Sequence, residues 1–334
     1  MSAPLLEVCG LKTHYFTFGG SRIVKAVENV SFALREGETL GLVGESGCGK
    51  TTTCLSIVGL LPPAARVVGG EIRLNGKDLT RMSPREMRRL RGSAIAMILQ
   101  DPMASLNPLF SIYTQVAEPA YYHLGMRNRS LRRRVEELLR AVRLPSPAMR
   151  MRGYPHQMSG GMSQRIVGAI ALAGGPKLII ADEPTTNLDV TIQAQYLDLL
   201  MDIQQETGVA LIFVTHNLGI VAKVCNRMAV MYAGRIMEFG SVRDLFGEPK
   251  HPYTKALLAS MPKLGSKQPL YAIPGQPPDL ARLPPGCSFH PRCADAIARC
   301  AQEDPDEVQC GKDWTARCWL AQPAAKVSHD RAGS

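Results

Sequence analysis

Eight residues constrain this chain more than any others: Gly44-Glu45-Ser46-Gly47-Cys48-Gly49-Lys50-Thr51, a full G-x-x-x-x-G-K-[ST] sequence. The apolar run Thr39–Val43 leads into it and a helical pattern opens at Thr51, the strand–turn–helix setting in which such a loop works. Glycines let successive backbone N–H groups curl around phosphate oxygens, and the positive end of the following helix favours an anion. Gly44, Ser46, Gly47, Cys48, Gly49 and Thr52 are therefore candidate nucleotide-binding residues. Lys50 is expected to reach the β- and γ-phosphates, and the Thr51 hydroxyl to ligate Mg²⁺. The loop demands a buried strand before it and a helix after it, so the fold class is set as α/β.

A second segment completes the chemistry. Leu178-Ile179-Ile180-Ala181 reads as a buried strand that delivers Asp182 and Glu183 to the sheet's C-terminal edge, where α/β proteins bind ligands. Asp182 is the candidate Mg²⁺ carboxylate. Glu183, one residue on, is placed to polarise a water attacking the γ-phosphate. A further buried strand is predicted at Ala210–Val214. Helical periodicity covers Ser83–Arg91 and Ser130–Leu144. Helices between such strands imply a parallel sheet with right-handed crossovers. Short β runs are expected over residues 5–48, Val30–Leu34 among them, and Gly69-Gly70 followed by Glu71–Gly76 reads as a hairpin edge.

Composition narrows the classes. At 334 residues with 45% hydrophobic and 20% charged residues, the chain is globular and long enough to bury a core unaided. No apolar stretch reaches the roughly 18 residues of a membrane span; Ile166–Ala181 comes nearest and is broken by Gly168, Gly174, Gly175, Pro176 and Lys177. Neither a basic n-region nor a long apolar h-region opens the chain, so no secretory signal is expected. The net charge of +10 is concentrated locally, with nine arginines against two glutamates between Arg127 and Arg152. That run reads as a solvated helix face or as a patch for anionic lipid or an acidic partner. Nucleic acid is not expected, because no aromatic residue interleaves the arginines.

Three more segments carry chemistry. Ser159-Gly160-Gly161 opens a helix and makes a second anion-binding N-terminus, which a phosphate-loop enzyme working alone has no use for. Gln100 ends the apolar run Ala94–Leu99, and His216 follows the strand Ala210–Val214 by two residues. Taken together, the phosphate loop, Gln100, Ser159-Gly160-Gly161, Asp182-Glu183, Asn187-Leu188-Asp189 and His216 resemble, in order and separation, the ATP-binding subunit of an ABC transporter. Tyr154–Met162, Thr185–Gln195, His251–Leu258, Ile273-Pro274-Gly275 and Gly286–Cys293 resemble its oligopeptide/dipeptide importer subfamily. There are departures: Asn187 stands where the subfamily usually has Ala, Ser163 where it has Arg, and Asn217 where it often has Asp.

The resemblance implies an ABC-type P-loop ATPase with a RecA-like core, an antiparallel β subdomain and a helical signature subdomain at about 101–165. That domain would occupy 1–250, followed by a small Cys/Pro-rich extension at 251–334. It implies that Tyr15 stacks on adenine, with Phe16 and Phe18 as rivals. Gln100 would sense Mg²⁺ and nucleotide, His216 would contact the γ-phosphate, and Ser159, Gly160 and Gly161 would complete the ATP site of a partner. Expected partners are a second, related ATP-binding subunit forming a heterodimer, two integral membrane permease subunits and an extracytoplasmic substrate-binding protein. The expected place is the cytoplasmic face of the bacterial inner membrane, bound peripherally. Peptide is the expected cargo. Nickel, oligosaccharide or another small solute on the same mechanism, and a non-transport ABC ATPase, are the alternatives.

The tail poses its own problem. Residues 262–334 hold ten of the 24 prolines but only 13 large apolar or aromatic residues, too few to make a core, so the tail is expected to dock, to be stapled or to be partly disordered. Cys287, Cys293, Cys300, Cys310 and Cys318 crowd there, too widely spaced for a zinc ribbon. By likeness to subfamily members with similar tails, Cys287, Cys293, Cys300 and Cys318 are expected to hold a [4Fe–4S] cluster. Zinc and free thiols are the other readings.

Overall fold

A computed structural model describes residues 3–186, 188–262 and 271–321; Asn187 is outside the described residues. The first two strands, β1 (Leu6–Thr17) and β2 (Arg22–Leu34), pair antiparallel as a long hairpin. After the phosphate-loop strand β3 (Thr39–Val43) come β4 (Ala65–Leu74) and β5 (Lys77–Asp78), which join that hairpin in a four-stranded antiparallel sheet, order β2-β1-β4-β5. Gly69-Gly70 belongs to the first strand of the expected hairpin, β4–β5. It lies inside β4 where that strand crosses Gly10 of β1, and a Cβ on Gly70 would stand 2.4 Å from the Gly10 carbonyl oxygen. The reversal comes at Asn75-Gly76, both at positive φ, as a tight hairpin requires.

The remaining strands are β6 (Ile95–Ile98), β7 (Leu178–Asp182), β8 (Ala210–Thr215), β9 (Arg227–Tyr232), β10 (Arg235–Ser241), β11 (Val308–Gly311) and β12 (Trp314–Ala316). With β3 they form an eight-stranded sheet in the order β11-β12-β10-β9-β3-β8-β7-β6. The five strands from β9 to β6 run parallel, as the motif demands. Every residue of β3, β7, β8 and β9 is buried, because helices cover both faces of a parallel sheet and each face must be apolar. Ile166–Ala181 divides between a helix, Gly160–Ala173, and β7. Among the described residues no helix is long and apolar enough to cross a membrane.

A helical layer sits beyond β6. The helix Asn128–Ala141 buries Leu131, Val135, Leu138 and Leu139 along one stripe. Arg129, Arg132, Arg133 and Arg140 are exposed, and Arg133–Glu137 and Arg140–Glu136 form i,i+4 pairs. Such pairs contribute only tenths of a kcal/mol each.

The tail does not form a core of its own. Strands β11 and β12 extend the main sheet beside β10, with Glu238 opposite Ala316 and Phe239 opposite Thr315. Phe289, Cys287, Cys300 and Trp314 pack into one apolar cluster with Val230, Tyr232, Met237 and Tyr253. Beneath them the fully buried Glu238 accepts hydrogen bonds from the Lys250 and His251 backbone N–H groups at 2.8 and 3.0 Å, and from Trp314 Nε1 at 3.0 Å.

Candidate functional site: a phosphate cleft and a separate signature cleft

The phosphate loop takes the path its glycines permit. Gly44 (φ +151°) and Gly49 (φ +107°) lie against backbone, and a Cβ on either would come within 2.2 Å of Met231 O or Ala26 O. No other residue fits there. The loop runs into the helix Lys50–Val58. Ser46, Gly47, Gly49, Lys50, Thr51 and Thr52 line a cleft of about 230 Å³, closed opposite by Gln100 and Glu183. Lys50 Nζ is folded back, donating to Gly44 O at 2.7 Å and Glu45 O at 2.9 Å. Engaging a phosphate therefore means exchanging these carbonyls for phosphate oxygens. Cys48 does not line the cleft: its N–H donates to Glu45 O at 3.3 Å, and its buried thiol is pushed to higher pKa by burial.

The second carboxylate pair is brought to the same cleft by β7. Thr51 Oγ1 donates to Asp182 Oδ1 at 3.3 Å. Burial raises the pKa of Asp182, and the neighbouring Glu183 charge raises it further, against the lowering hydrogen bond from Thr51. A hydroxyl and a carboxylate are hard oxygen donors, and a divalent cation would relieve that carboxylate repulsion, so the pair fits Mg²⁺. Glu183 has φ +46°, a left-handed backbone unusual for Glu. Its carboxylate is surrounded: His216 Nδ1 at 3.1 Å from Oε1, and Thr186 Oγ1 at 3.0 Å and Gln100 Nε2 at 3.2 Å from Oε2. Partial burial works to raise its pKa, but the hydrogen bonds from His216 and Thr186 outweigh it and hold the group below the usual range. An ionised carboxylate fixed at the mouth of a phosphate cleft can accept a proton from water.

Among the three aromatic candidates, Tyr15 reaches the loop helix, its hydroxyl 3.3 Å from Thr52 Oγ1. Phe16 lies under the Arg66 guanidinium at 4.1 Å, and Phe18 is exposed.

Ser159, Gly160 and Gly161 are elsewhere. Ser159 Oγ caps the helix Gly160–Ala173, accepting from Met162 N at 3.4 Å. The three line a cleft of about 550 Å³ with Arg143, Arg165 and Asp189, which shares no lining residue with the phosphate cleft. A helix N-terminus flanked by two arginines suits an anion. Of the departures, Asn217 keeps the capping role an Asp would have, accepting from Gly219 N at 2.9 Å. Ser163 is fully buried with Oγ 3.4 Å from Met103 Sδ, where an arginine would have no room to stay solvated.

The expected iron–sulfur cluster is corrected by the structure. Among the described residues, no group of three or more His, Cys, Asp or Glu side chains is arranged to hold a metal ion. Cys287, Cys293, Cys300 and Cys318 are free thiols. Cys287 and Cys300 are packed as small apolar side chains in the tail's cluster, with Cys293 against it. Burial pushes Cys287 up to about 11 and raises Cys293 and Cys318 too. The tail is held by sheet addition and apolar packing.

Sequence reasoning missed Thr186, Glu45 and Tyr253. The first orients Glu183. The Tyr253 hydroxyl accepts from Glu45 N at 3.0 Å, inside the phosphate loop, although 208 residues separate the two. Only the T-T step after Asp182-Glu183-Pro184 hinted at a hydroxyl beside Glu183.

Comparison with known proteins agrees with this geometry. Residues 27–186 match the ABC transporter family, and residues 237–300 match the oligopeptide/dipeptide transporter C-terminal region. The dipeptide transport ATP-binding protein DppD of Bacillus subtilis (strain 168) is 48% identical over 324 residues, covering 96% of each chain. The oligopeptide transport ATP-binding protein OppD of the same organism is 47% identical, covering 96% of this chain and 90% of its own. Among solved structures, a dimeric ATP-binding cassette in a post-hydrolysis state, bound to ADP and Pi, superposes with a TM-score of 0.64 at 27% identity, over 71% of this chain and 99% of that one. The chain thus belongs to the ABC transporter ATP-binding proteins, in the group that carries the oligopeptide/dipeptide transporter C-terminal region.

Proposed function

We propose that this ABC ATPase energises the import of dipeptides or oligopeptides through separate membrane subunits. The observation that carries the reading is that likeness to peptide-transport ATP-binding proteins runs through 96% of the chain, tail included. ATP is its substrate. Lys50 and the loop amides bind the phosphates, and Tyr15 supports the adenine. Thr51 and Asp182, with Gln100 beside them, would hold Mg²⁺, whose charge offsets that of the phosphates. Glu183 orients and deprotonates the attacking water, and His216 fixes Glu183 while facing the γ-phosphate position.

The separation of the two clefts supports head-to-tail pairing, in which Ser159, Gly160 and Gly161 serve the ATP bound by a second, related subunit. The ATP-bound pair would be the closed state and hydrolysis would reopen it. Two permease subunits and an extracytoplasmic binding protein complete the assembly, with this chain held peripherally on the cytoplasmic face of the bacterial inner membrane.

The test is reconstitution of the whole assembly in proteoliposomes, with the binding protein offered a dipeptide, nickel or an oligosaccharide in turn. Peptide-stimulated ATP hydrolysis with peptide uptake is expected. Stimulation by nickel or oligosaccharide alone would overturn the cargo.

A further inference from the structure

The phosphate loop is gripped by a part of the chain that lies far away in sequence. Glu45, its second residue, is held at both ends. Its backbone N–H donates to Tyr253 Oη at 3.0 Å. Its carboxylate takes both terminal nitrogens of Arg292, Nη1 to Oε2 at 2.6 Å and Nη2 to Oε1 at 3.0 Å. The Arg292 side chain is 4% exposed and that of Glu45 27%. The guanidinium is fixed in turn by the tail and the sheet. Nε donates to Pro274 O at 2.9 Å, Nη2 to Ile273 O at 3.4 Å and Nη1 to Tyr232 Oη at 3.3 Å. Tyr253 is fully buried between Tyr232 and Phe289. On the loop's inner side the Glu45 carbonyl accepts from Lys50 Nζ. One unbroken series of bonds therefore runs from the tail through Arg292 and Glu45 to the lysine of the phosphate cleft.

We propose that Arg292 is a positioning residue of the ATP site, and that the C-terminal region is through it a working part of that site. The proposal rests on the nucleotide reading above. Two physical effects support it. A buried, bidentate guanidinium–carboxylate pair holds the loop backbone in one geometry, which spares ATP the cost of ordering it. It also neutralises a carboxylate carried by the phosphate loop itself, whose unpaired negative charge would add to the repulsion met by an anionic ligand. Arginine suits this place because its rigid fork serves Glu45 and Pro274 at once, which a lysine ammonium cannot do.

The experiment measures ATP affinity of the purified full chain with a fluorescent ATP analogue, and KM and kcat of the assembled transporter. Arg292→Met should weaken ATP binding and raise KM about tenfold, the size expected for losing a charged hydrogen-bonded pair, with kcat within about twofold. Arg292→Lys should fall between the two. The combined Arg292→Met and Glu45→Gln variant should recover most of the lost affinity, because the stranded charge is gone; a merely structural contact would leave the double variant at least as weak as the single one. If Arg292→Met gives no folded protein, Glu45→Gln alone should raise KM a few-fold with kcat held. Unchanged affinity in these variants, a fall in kcat at constant KM, or no recovery in the double variant would overturn the proposal. Lys50→Ala is the control: if it bound ATP as tightly as the parent, the nucleotide reading itself would fail, whereas its loss of binding beside an unaffected Arg292→Met would sink the brace alone.

Discussion

The phosphate loop and the C-terminal tail face the same difficulty, holding irregular backbone in one path, and solve it in opposite ways. The loop does so with local chemistry: glycines at positive φ, a helix N-terminus and a lysine folded onto the loop carbonyls. The tail, with Pro and Cys in place of a core, borrows structure. It adds two strands to the sheet, sends Phe289 and Trp314 into an apolar cluster, and hangs on the buried Glu238. The loop's function is therefore spread over eight neighbouring residues, whereas the tail's attachment depends on residues about 60 to 80 positions apart. The difference teaches that a motif can be complete in sequence and still depend on a distant segment for its setting.

The sharpest way to separate the two regions is to remove chemistry from one without touching the other. Glu183→Gln should lower ATP turnover of the assembled transporter by about 10²–10⁴-fold while ATP binding and the tail's packing are retained. Parental turnover would remove Glu183 from its role. Conversely, Glu238→Ala strips two buried N–H groups and one part-buried one of their acceptor and should destabilise the chain by about 3 kcal/mol, read as a lower urea midpoint with early proteolysis of the tail. A stability change under about 0.5 kcal/mol, the level of an ordinary surface substitution, would mean that the tail is not hung on that carboxylate.

A gentler probe uses pH. Burial lowers the pKa of His251 to about 3, while in the unfolded chain it lies near 6.5. Between those values the unfolded state binds a proton that the folded state refuses, so stability is retained above pH 6.5 and falls as pH drops. At pH 5 the loss should be about 2 kcal/mol. His251→Asn keeps the cap on Tyr253 N and should lose about 2 kcal/mol less on going from pH 7.5 to 5. Equal acid losses in the two proteins would count against it.

The smallest expected effect is none at all. A Cβ at Gly160 meets nothing within 4 Å, so Gly160→Asp should leave this chain's fold and its own ATP affinity unchanged. Hydrolysis by the assembled transporter should nevertheless fall, because the new carboxylate meets the partner's γ-phosphate. Weakened ATP binding by the isolated chain would mean that the signature serves its own site.

Legibility followed the range of the interactions. Strands β3, β7 and β8 were readable because parallel strands buried on both faces are continuous apolar runs. The residues of the phosphate cleft were readable because each closes an element whose type is locally determined. The Gly69–Gly76 hairpin was readable, but only the approach of Gly10 shows why glycine is needed inside β4. The cysteines misled: thiols suit both a metal and an apolar core, and the choice depends on how their side chains converge.

By itself, then, the sequence determined the α/β class, the phosphate loop with its carboxylates, and the family. The first two depend on hydrogen bonding and hydrophobic patterning within a few residues of chain, and the family on the resemblance of its motifs in order and separation. Tertiary structure alone decided that the tail extends the main sheet and that Arg292 reaches Glu45. Each of these is a contact between segments whose separation along the chain carries no periodic or local signal, so only the packing of the whole sheet brings the partners within a hydrogen bond of each other.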